Sequence, residues 1–244
     1  MELHLQVCGG FGNRLRALVS GICWAEDLSR TLHLYWWNYD RACMCPIEKL
    51  LDLSSIPNWV KIHAGYLEQP IECLQPSEFI DAGYPTHIKS YGQFHTSDPE
   101  RWLRHLRALR PSRMIAQRVA MIPRIHSVGI HIRRGDNLRA AEESPLPAYI
   151  DELWRNHKET SNFIIATDCP EARYLFQILF PQKSIFPARV QFRYSEEGVY
   201  EGCVDFFSLA ACPTILGSAH SSFTDMAAAY GGAQLKIIRG KAPQ

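Results

Sequence analysis

The chain has 244 residues, 46% hydrophobic and 21% charged, which is enough for one large domain or two small ones. Its 26 Lys and Arg residues and 25 Asp and Glu residues leave a formal net charge of +1, so no overall field attracts it to nucleic acid or to a membrane surface. No apolar run has the length of a membrane span, and the N-terminus lacks the pattern of a signal peptide. We therefore expect a cytoplasmic protein, or a domain of one, with local anion-binding sites.

Eight cysteines are scattered through the sequence without a CxxC pair, which favours buried free thiols in a reducing compartment. Cys43 and Cys45 form a CxC pair, for which a metal site and a disulfide to Cys73 are the alternatives. Because no second pair stands at ligand spacing, we expect no metal site.

The N-terminal stretch is predicted to be a strand over Leu3–Cys8, a glycine-rich turn over 9–12, and a helix whose apolar residues repeat at helical spacing. A turn of this kind lets the backbone approach a ligand and directs the first N–H groups of the helix at an anion. Arg14 and Arg16 fall in the first helical turn, where the helix dipole disfavours cations. Either a bound anion or simple solvation would account for them.

The rest of the first half contains short strands and helices. Asp98 is predicted to cap a helix that starts at Pro99, whose four arginines lie on polar faces where solvation is the simplest interpretation. Further predicted elements are strands over 31–37, 59–63 and 87–91, a helical turn over 47–53, and a helix over 111–121.

The second half centres on Ser127–Asn137, SVGIHIRRGDN, a buried strand that ends in charged residues. Helices are predicted over 145–159, 170–180, 203–212 and 222–230, and strands over 162–167, 183–186, 214–217 and 234–238. This alternation predicts an α/β fold with parallel sheets covered on both faces. We expect two α/β halves, residues 1–110 and 124–244, facing each other across a cleft.

Polar residues follow three strands of the second half, and α/β sheets bind ligands at the carboxyl ends of their strands. Arg133 and Arg134 offer paired guanidinium groups to a doubly charged anion, with Asp136 to orient one of them. The alternative is a structural ion pair among these three residues. Asp168 is placed to accept hydrogen bonds from a base or ribose, or to cap the next helix, and the local pattern favours the cap.

A serine-rich loop, GSAHSSFTDM over 217–226, precedes the last helix. Ser222 is predicted to cap this helix and Gly231 to stop it. The N–H groups of Ser221, Ser222 and Phe223 would then point outward with the positive helix end behind them, which makes an anion site that needs no metal.

Four stretches, GGFGNRLRALVSG, HIRRGDN, ATDCPEA and CVDFFSLAACPTILGSAHSSF, occur in the order found in GDP-fucose-dependent fucosyltransferases, and the sequence resembles that family. The family includes the rhizobial nodulation α1,6 type, the α1,2 type and the protein O-fucosyltransferases. The resemblance implies a GT-B-like fold of two facing Rossmann-like halves. It also implies inverting transfer of L-fucose from GDP-β-L-fucose to a glycan or glycoconjugate hydroxyl, with no metal or other cofactor.

The resemblance further implies roles for individual residues. Arg133 and Arg134 would hold the GDP phosphates, with Arg134 the essential one. Glu142 matches the position of a catalytic base in some relatives, with Glu143, or no base at all, as the alternatives. Asp205 matches an acidic position of the third motif and would be structural. The other donor-binding positions would be Gly12, Asn13, Arg14, His131, Asp136, Asp168, Ser221, Ser222 and Phe223.

Two other functions fit the same residues. One is a transferase that uses another GDP-sugar, because phosphate contacts do not read the sugar. The other is a non-catalytic module that binds a GDP-sugar or a glycan. A nucleic-acid partner is disfavoured, because the chain is neutral overall and its paired arginines lie at a strand end.

Overall fold

Each half of the chain is built on a parallel five-stranded sheet, as the computed structural model shows. The N-terminal unit comprises Met1–Met114 and Tyr194–Tyr200, and the C-terminal unit comprises Ile115–Arg193 and Glu201–Gln244. The structure describes residues 2–75, 77–78, 86–95, 97–123, 126–189 and 194–240, and the predicted start of the second half at residue 124 lies outside them. The predicted α/β class with parallel sheets is confirmed.

The first half of the chain contains short strands and helices. Its strands are Leu3–Val7 (β1), Leu32–Trp36 (β2), Val60–His63 (β3), Ile71–Glu72 (β4) and His87–Ser90 (β5). Its helices are Phe11–Asp27 (α1), Ile47–Leu50 (α2), Pro99–Ala108 (α3) and Arg113–Ala120 (α4), with a 3₁₀ turn at Leu53–Ser55. The strands pair in the order β3-β2-β1-β5-β4, all parallel.

Helix α1 covers one face of this sheet. Leu3, Leu5 and Val7 are fully buried on that face, as the alternation of side chains along a strand requires. The helix lies so close that a Cβ atom on Gly21 would meet Leu5 Cδ2 at 2.4 Å. This packing fixes the glycine-rich turn between β1 and α1.

The predicted elements of this half lie close to their expected bounds. Asp98 caps α3 as predicted, and its carboxylate accepts the backbone N–H groups of Glu100 and Arg101 at 3.0 Å each. Strand β4 was not predicted, because a strand of two residues is too short to show a periodic pattern.

The cysteine pair is not cross-linked. Cys43, Cys45 and Cys73 are all buried free thiols, so the disulfide alternative is wrong. Within the described ranges, no group of His, Cys, Asp and Glu side chains has an arrangement that could hold a metal ion. No helix in those ranges is both long and apolar enough to cross a membrane.

The second half of the chain repeats the same alternation. Its strands are Ser127–Ile132 (β6), Asn162–Thr167 (β7), Ser184–Ile185 (β8), Thr214–Ser218 (β9) and Gln234–Ile238 (β10). Its helices are Leu138–Glu143 (α5), Leu146–Asn156 (α6), Pro170–Leu179 (α7), Glu196–Ala210 (α8) and Ser222–Gly231 (α9). The strands pair in parallel in the order β10-β9-β6-β7-β8, so the fully buried β6 lies at the centre.

Three details of this half differ from the predictions. Helix α8 begins at Glu196, seven residues before the predicted start at Cys203, and α5 was not predicted at all. Gly232, with a φ of 69°, ends α9 in the left-handed region, where glycine carries no steric penalty. Gly231 belongs to the helix instead, and a Cβ atom there would meet the Ala210 carbonyl oxygen at 1.9 Å.

Four histidines form a row across adjacent strands of the N-terminal sheet. Imidazole centroids lie 4.3 Å apart for His4 and His87, 4.7 Å for His4 and His33, and 5.1 Å for His33 and His63. Burial lowers the pKa of His4 and of His63, and the neighbouring imidazoles lower it further because like charges repel. Glu2 Oε2 faces the row at 3.3 Å from His33 Nε2.

We expect the free energy of unfolding to fall as the pH drops below the ordinary histidine pKa of 6.5. His4 and His63 take up protons at that pH in the unfolded chain and only at lower pH in the folded one, so acid favours the unfolded state. The measurement is the melting temperature at about pH 7.5 and about pH 5.5 for the wild type and His4→Gln. An acid-induced decrease as large in the variant as in the wild type would contradict a role for His4.

Candidate functional site

The arginine motif lies at the carboxyl end of β6, between the ends of β7 and β9. Asp168, just past β7, accepts the backbone N–H of Arg134 at 2.8 Å and that of Gly135 at 3.3 Å through Oδ1. Its Oδ2 pairs with the Arg133 guanidinium. On the other side, Ser218 Oγ accepts the Arg133 N–H at 2.8 Å. The turn is therefore held from both neighbouring strands.

The predicted helix cap at Asp168 is wrong. Cys169 occupies the cap position of α7, and its Sγ accepts the Ala172 N–H at 3.5 Å. The Asp168 carboxylate instead binds the turn over residues 133–136 that follows β6, here called the arginine turn. It contacts a guanidinium and accepts two backbone N–H groups there. Its contact with a nucleoside stays a prediction.

The two adjacent arginines have different partners. Arg133 pairs with Asp168 and with Asp136, so the alternative of a structural ion pair holds for Arg133 and Asp136, with Asp168 as a further partner, but not for Arg134. Arg134 donates to the carbonyl oxygens of Ala141 at 2.6 Å and Ser144 at 2.8 Å. Among the described residues no carboxylate pairs with Arg134, and its buried Nε has no acceptor there. Among the described residues, its positive charge is therefore met by carbonyl dipoles at the end of α5.

Helix α9 begins at Ser222 as predicted, but its capping residue lies one position earlier than predicted. Ser221, not Ser222, is the cap, and its Oγ accepts the Thr224 N–H at 3.4 Å. The N–H groups of Ser222 and Phe223 lie in the first turn, where no carbonyl of the helix itself can accept them. They have no other acceptor in the part of the chain that the structure describes, so they remain available to an anion.

His131, on the central strand, is buried and supports this loop. Its Nδ1 lies 2.5 Å from Thr224 Oγ1 and 3.4 Å from Ser221 Oγ, and its ring packs on that of Phe223 at 4.9 Å. These contacts place His131 beneath the first turn of α9. The predicted nucleoside contact of His131 is untested and stays a prediction.

The two candidate bases differ sharply. Glu142 is exposed and has no hydrogen-bond or ionic partner among the described residues. Glu143 accepts from His220 Nε2 at 2.7 Å and Arg139 Nε at 3.0 Å and pairs with Arg239. The hydrogen bond from His220, followed by those from the arginines, lowers the pKa of Glu143 to about 2. A carboxylate held in this way is a poor proton acceptor near neutral pH.

Arg14 in the N-terminal unit is fully buried, so simple solvation is wrong for it. It donates to the carbonyl oxygens of Gly9 at 3.0 Å and Trp37 at 2.8 Å and pairs with Asp40 at 3.2 Å. Its guanidinium also lies 4.8 Å from the ring centroid of Trp36. The Arg14 Nη1 is buried with no acceptor among the described residues.

The other predicted donor-binding residues of the N-terminal unit lie next to Arg14, at the start of α1. Gly12 is buried within α1, and Asn13 Oδ1 accepts a hydrogen bond from Arg16 Nη2 at 3.0 Å. Asp40 was missed because it lies 26 residues from Arg14 and has no local signal. Donor contacts of Gly12, Asn13 and Arg14 stay predictions.

Asp205 has the environment of a structural residue. It is buried in α8 and accepts the Ala188 N–H at 2.9 Å. Burial, together with the nearby Glu201, raises the pKa of Asp205 to about 8. The group is therefore largely protonated at neutral pH, which suits a buried loop anchor.

No protein-family model matches the sequence, and no curated protein matches it either. Solved structures do match. NodZ α-1,6-fucosyltransferase soaked with GDP-fucose is 17% identical, with a TM-score of 0.64 over 94% of this chain and 93% of that one. An Arabidopsis thaliana FUT1 mutant in complex with GDP is 12% identical, with a TM-score of 0.64 over 96% of this chain and 69% of that one. POFUT1 in complex with GDP-fucose is 11% identical, with a TM-score of 0.59 over 98% of each.

These identities are low, so the likeness is one of fold. All three similar structures are fucosyltransferases or carry fucosyltransferase names, and the resemblance expected from the motifs is confirmed at that level. In the comparison with NodZ the shared fold extends over 94% of this chain.

Replacing Ser221 with alanine should lower the free energy of unfolding by about 1 kcal/mol, because α9 loses its cap, whereas Ser222→Ala should leave it nearly unchanged. Urea unfolding of both variants, followed by circular dichroism, measures the difference. An equal loss of unfolding free energy in the two variants, or a larger loss in Ser222→Ala, would contradict Ser221 as the cap.

Proposed function

We propose that the protein is an inverting, metal-independent glycosyltransferase that moves L-fucose from GDP-β-L-fucose to a glycan or glycoconjugate hydroxyl. The observation that carries the proposal is the meeting of two anion-binding features at one edge of the C-terminal sheet. Arg134 has no carboxylate partner among the described residues, and the first N–H groups of α9 lack acceptors there. Ser144 joins the two features, since its carbonyl accepts from Arg134 and its Oγ accepts the Ala219 N–H at 2.8 Å.

A sugar diphosphate suits this arrangement. Guanidinium groups match the geometry of phosphate oxygens, and helix N–H groups stabilise anions without a metal ion. NodZ and POFUT1, which share the fold, are described with GDP-fucose. In the proposal Arg133, Asp136, Asp168, His131 and the serine loop complete the donor site.

The chemistry follows from where charge develops. The acceptor oxygen bonds to the anomeric carbon from the face opposite GDP, and the bond from that carbon to the β-phosphate oxygen breaks. Its electron pair leaves with GDP, so negative charge grows on the diphosphate. Arg134 and the N–H groups of Ser222 and Phe223 are preorganised to stabilise that charge, which is usually the largest contribution to catalysis.

The proton of the acceptor hydroxyl needs a base, and we assign Glu142. Its carboxylate is exposed and unpaired among the described residues, whereas Glu143 is held by Arg139, Arg239 and His220. An unpaired carboxylate can reach a bound acceptor without first losing a partner.

We also propose a cytoplasmic location. All eight cysteines are free thiols, and seven of them are buried, which suits a reducing compartment.

Calorimetric titration in EDTA with GDP, GDP-fucose, GDP-mannose and UDP-galactose tests the proposal. We expect GDP and GDP-fucose to bind and UDP-galactose to fail. Arg134→Ala should raise the transition-state free energy by about 2.7–4 kcal/mol, because it removes a charge from the leaving diphosphate. Arg155→Ala, which removes an exposed arginine from α6, should behave as the wild type.

Two results would overturn these assignments. If no nucleotide binds the wild type, the proposed function is wrong. If Arg134→Ala turns over GDP-fucose at the wild-type rate, the catalytic role of Arg134 is wrong. Circular dichroism of Arg134→Ala is the control for folding, since Arg134 also holds α5. Preference for GDP-mannose would indicate a transferase for another GDP-sugar, and tight binding of GDP-fucose without hydrolysis or transfer would indicate a binding module.

Glu142→Gln should reduce kcat by about 10²–10⁴ if Glu142 accepts the proton, with little change in GDP affinity. Initial rates of GDP release, measured across a pH range with a competent acceptor, give kcat and its pH dependence. Full activity in Glu142→Gln would show that the reaction needs no base at this position.

A further inference from the structure

A second cluster borders the proposed donor site without taking part in it. Glu143, the last residue of α5, binds His220 Nε2 at 2.7 Å and also pairs with Arg139 and Arg239. His220 immediately precedes the capping residue Ser221 of α9. The Glu143 carboxylate therefore links α5 to the loop whose N–H groups the proposed function assigns to phosphate.

The backbone at His220 needs such support. Its φ is 54°, in the left-handed region that non-glycine residues adopt at a cost. A conformation of this kind persists when the surroundings hold it in place, and such positions concentrate at ligand sites. Because His220 immediately precedes the cap of α9, its backbone conformation contributes to the direction of the N–H groups that follow.

Three hydrogen bonds from α5 and its two ends meet this part of the loop. Asn137 Nδ2 donates to the His220 carbonyl at 3.1 Å, and Ser144 Oγ accepts the Ala219 N–H at 2.8 Å. The bond between Glu143 and the His220 ring is the third. Only the last of these joins two ionisable side chains, which makes it the strongest of the three when both are charged.

We propose that Glu143 and His220 form a positioning pair that holds the Ala219–Phe223 loop in the shape that binds the donor diphosphate. This inference rests on the proposed function and adds two positioning residues to it. Neither side chain needs to touch the donor. Their effect reaches it through the N–H groups of Ser222 and Phe223, which the loop directs.

The surrounding charges agree with a positioning role for Glu143. Arg139, Arg239 and His220 all face its carboxylate, and the pKa of Glu143 is lowered to about 2. The carboxylate thus stays ionised throughout the working pH range, as a permanent partner for His220.

The test is calorimetric titration of GDP, with steady-state kinetics for GDP-fucose, on Glu143→Gln, His220→Gly and the double variant. Glycine adopts the left-handed conformation freely, so His220→Gly removes the imidazole without straining the backbone. Asp151→Asn on the exposed face of α6 is the control for the same change of charge. Loss of the hydrogen bond between Glu143 and His220 should weaken GDP binding about tenfold in each single variant.

The two residues act as a pair, so the double variant should bind GDP no more weakly than either single one. The donor KM should rise about tenfold while kcat at saturating donor stays within about twofold, since the variants lose the shape of the loop without a ligand and regain it when the donor is bound. The melting temperature should match that of Asp151→Asn.

Each outcome decides the matter. If the wild type does not bind GDP, the proposed function fails. If the wild type binds and His220→Gly binds equally well, the positioning pair is wrong and the proposed function stands. Additive losses in the double variant would mean that Glu143 and His220 act independently, which also overturns the pair. If Glu143→Gln does not fold, the affinity of His220→Gly alone decides between these results.

Discussion

The carboxylate of Asp168 organises the candidate site. Strands β6 and β7 are parallel neighbours in a register that places Ile132 beside Thr167, so the residues that follow both strands emerge at the same edge. Asp168 then meets the first N–H groups of the arginine turn and the guanidinium of Arg133. Such a charge-assisted arrangement fixes both the path of the backbone and the direction of a long side chain. A Cβ atom on Gly135 would meet Asp168 Oδ2 at 2.7 Å, so the turn depends on a glycine there.

The rest of the site follows from that turn. Because its backbone is fixed, Arg134 can direct both Nη atoms at the carbonyl groups that end α5. Helix α5 has only six residues, too few for stability on its own, and depends on these bonds and on its Asn137 cap. Ser144 at its end then receives the Ala219 N–H and positions the start of the serine loop. A single ion pair at a strand end thus supports elements from three parts of the chain.

Sequence patterns predicted the elements whose formation depends on residues close by in the chain. Strands β6 and β7 are apolar runs with clear ends; β7 was predicted over its observed residues, and β6 lies within the predicted stretch 127–137 and ends at Ile132. Helix α5 was missed because LRAAEE has no apolar period and its stability comes from Arg134. The cap at Asp168 was wrong for a related reason. Capping preferences describe the next few residues, whereas N–H groups more than thirty positions away compete for this carboxylate.

Local sequence patterns also failed to predict which charged side chains are buried. Arg14 stands in a first helical turn, where sequence alone left anion binding and solvation open. Burial of its guanidinium is possible because Asp40, far along the chain, supplies the opposite charge, and Gly9 and Trp37 supply carbonyl oxygens. His220 is the converse case. It lies inside a motif that was singled out, yet only the fold reveals its left-handed backbone and its carboxylate partner.

Arg133 and Arg134 have different partners, which explains why the two would differ in how strongly they bind an anion. Arg133 already faces two carboxylates, so a diphosphate that binds it must compete with Asp136 and Asp168. In the described ranges of the chain Arg134 is held by carbonyl oxygens, which fix its position without cancelling its charge. A diphosphate gains more from a charge that is held in place but not neutralised, since less reorganisation is needed when it binds. In the proposed function, the carbonyl groups that end α5 would therefore leave Arg134 ready for the diphosphate, whereas the carboxylates pair with Arg133 and hold the turn.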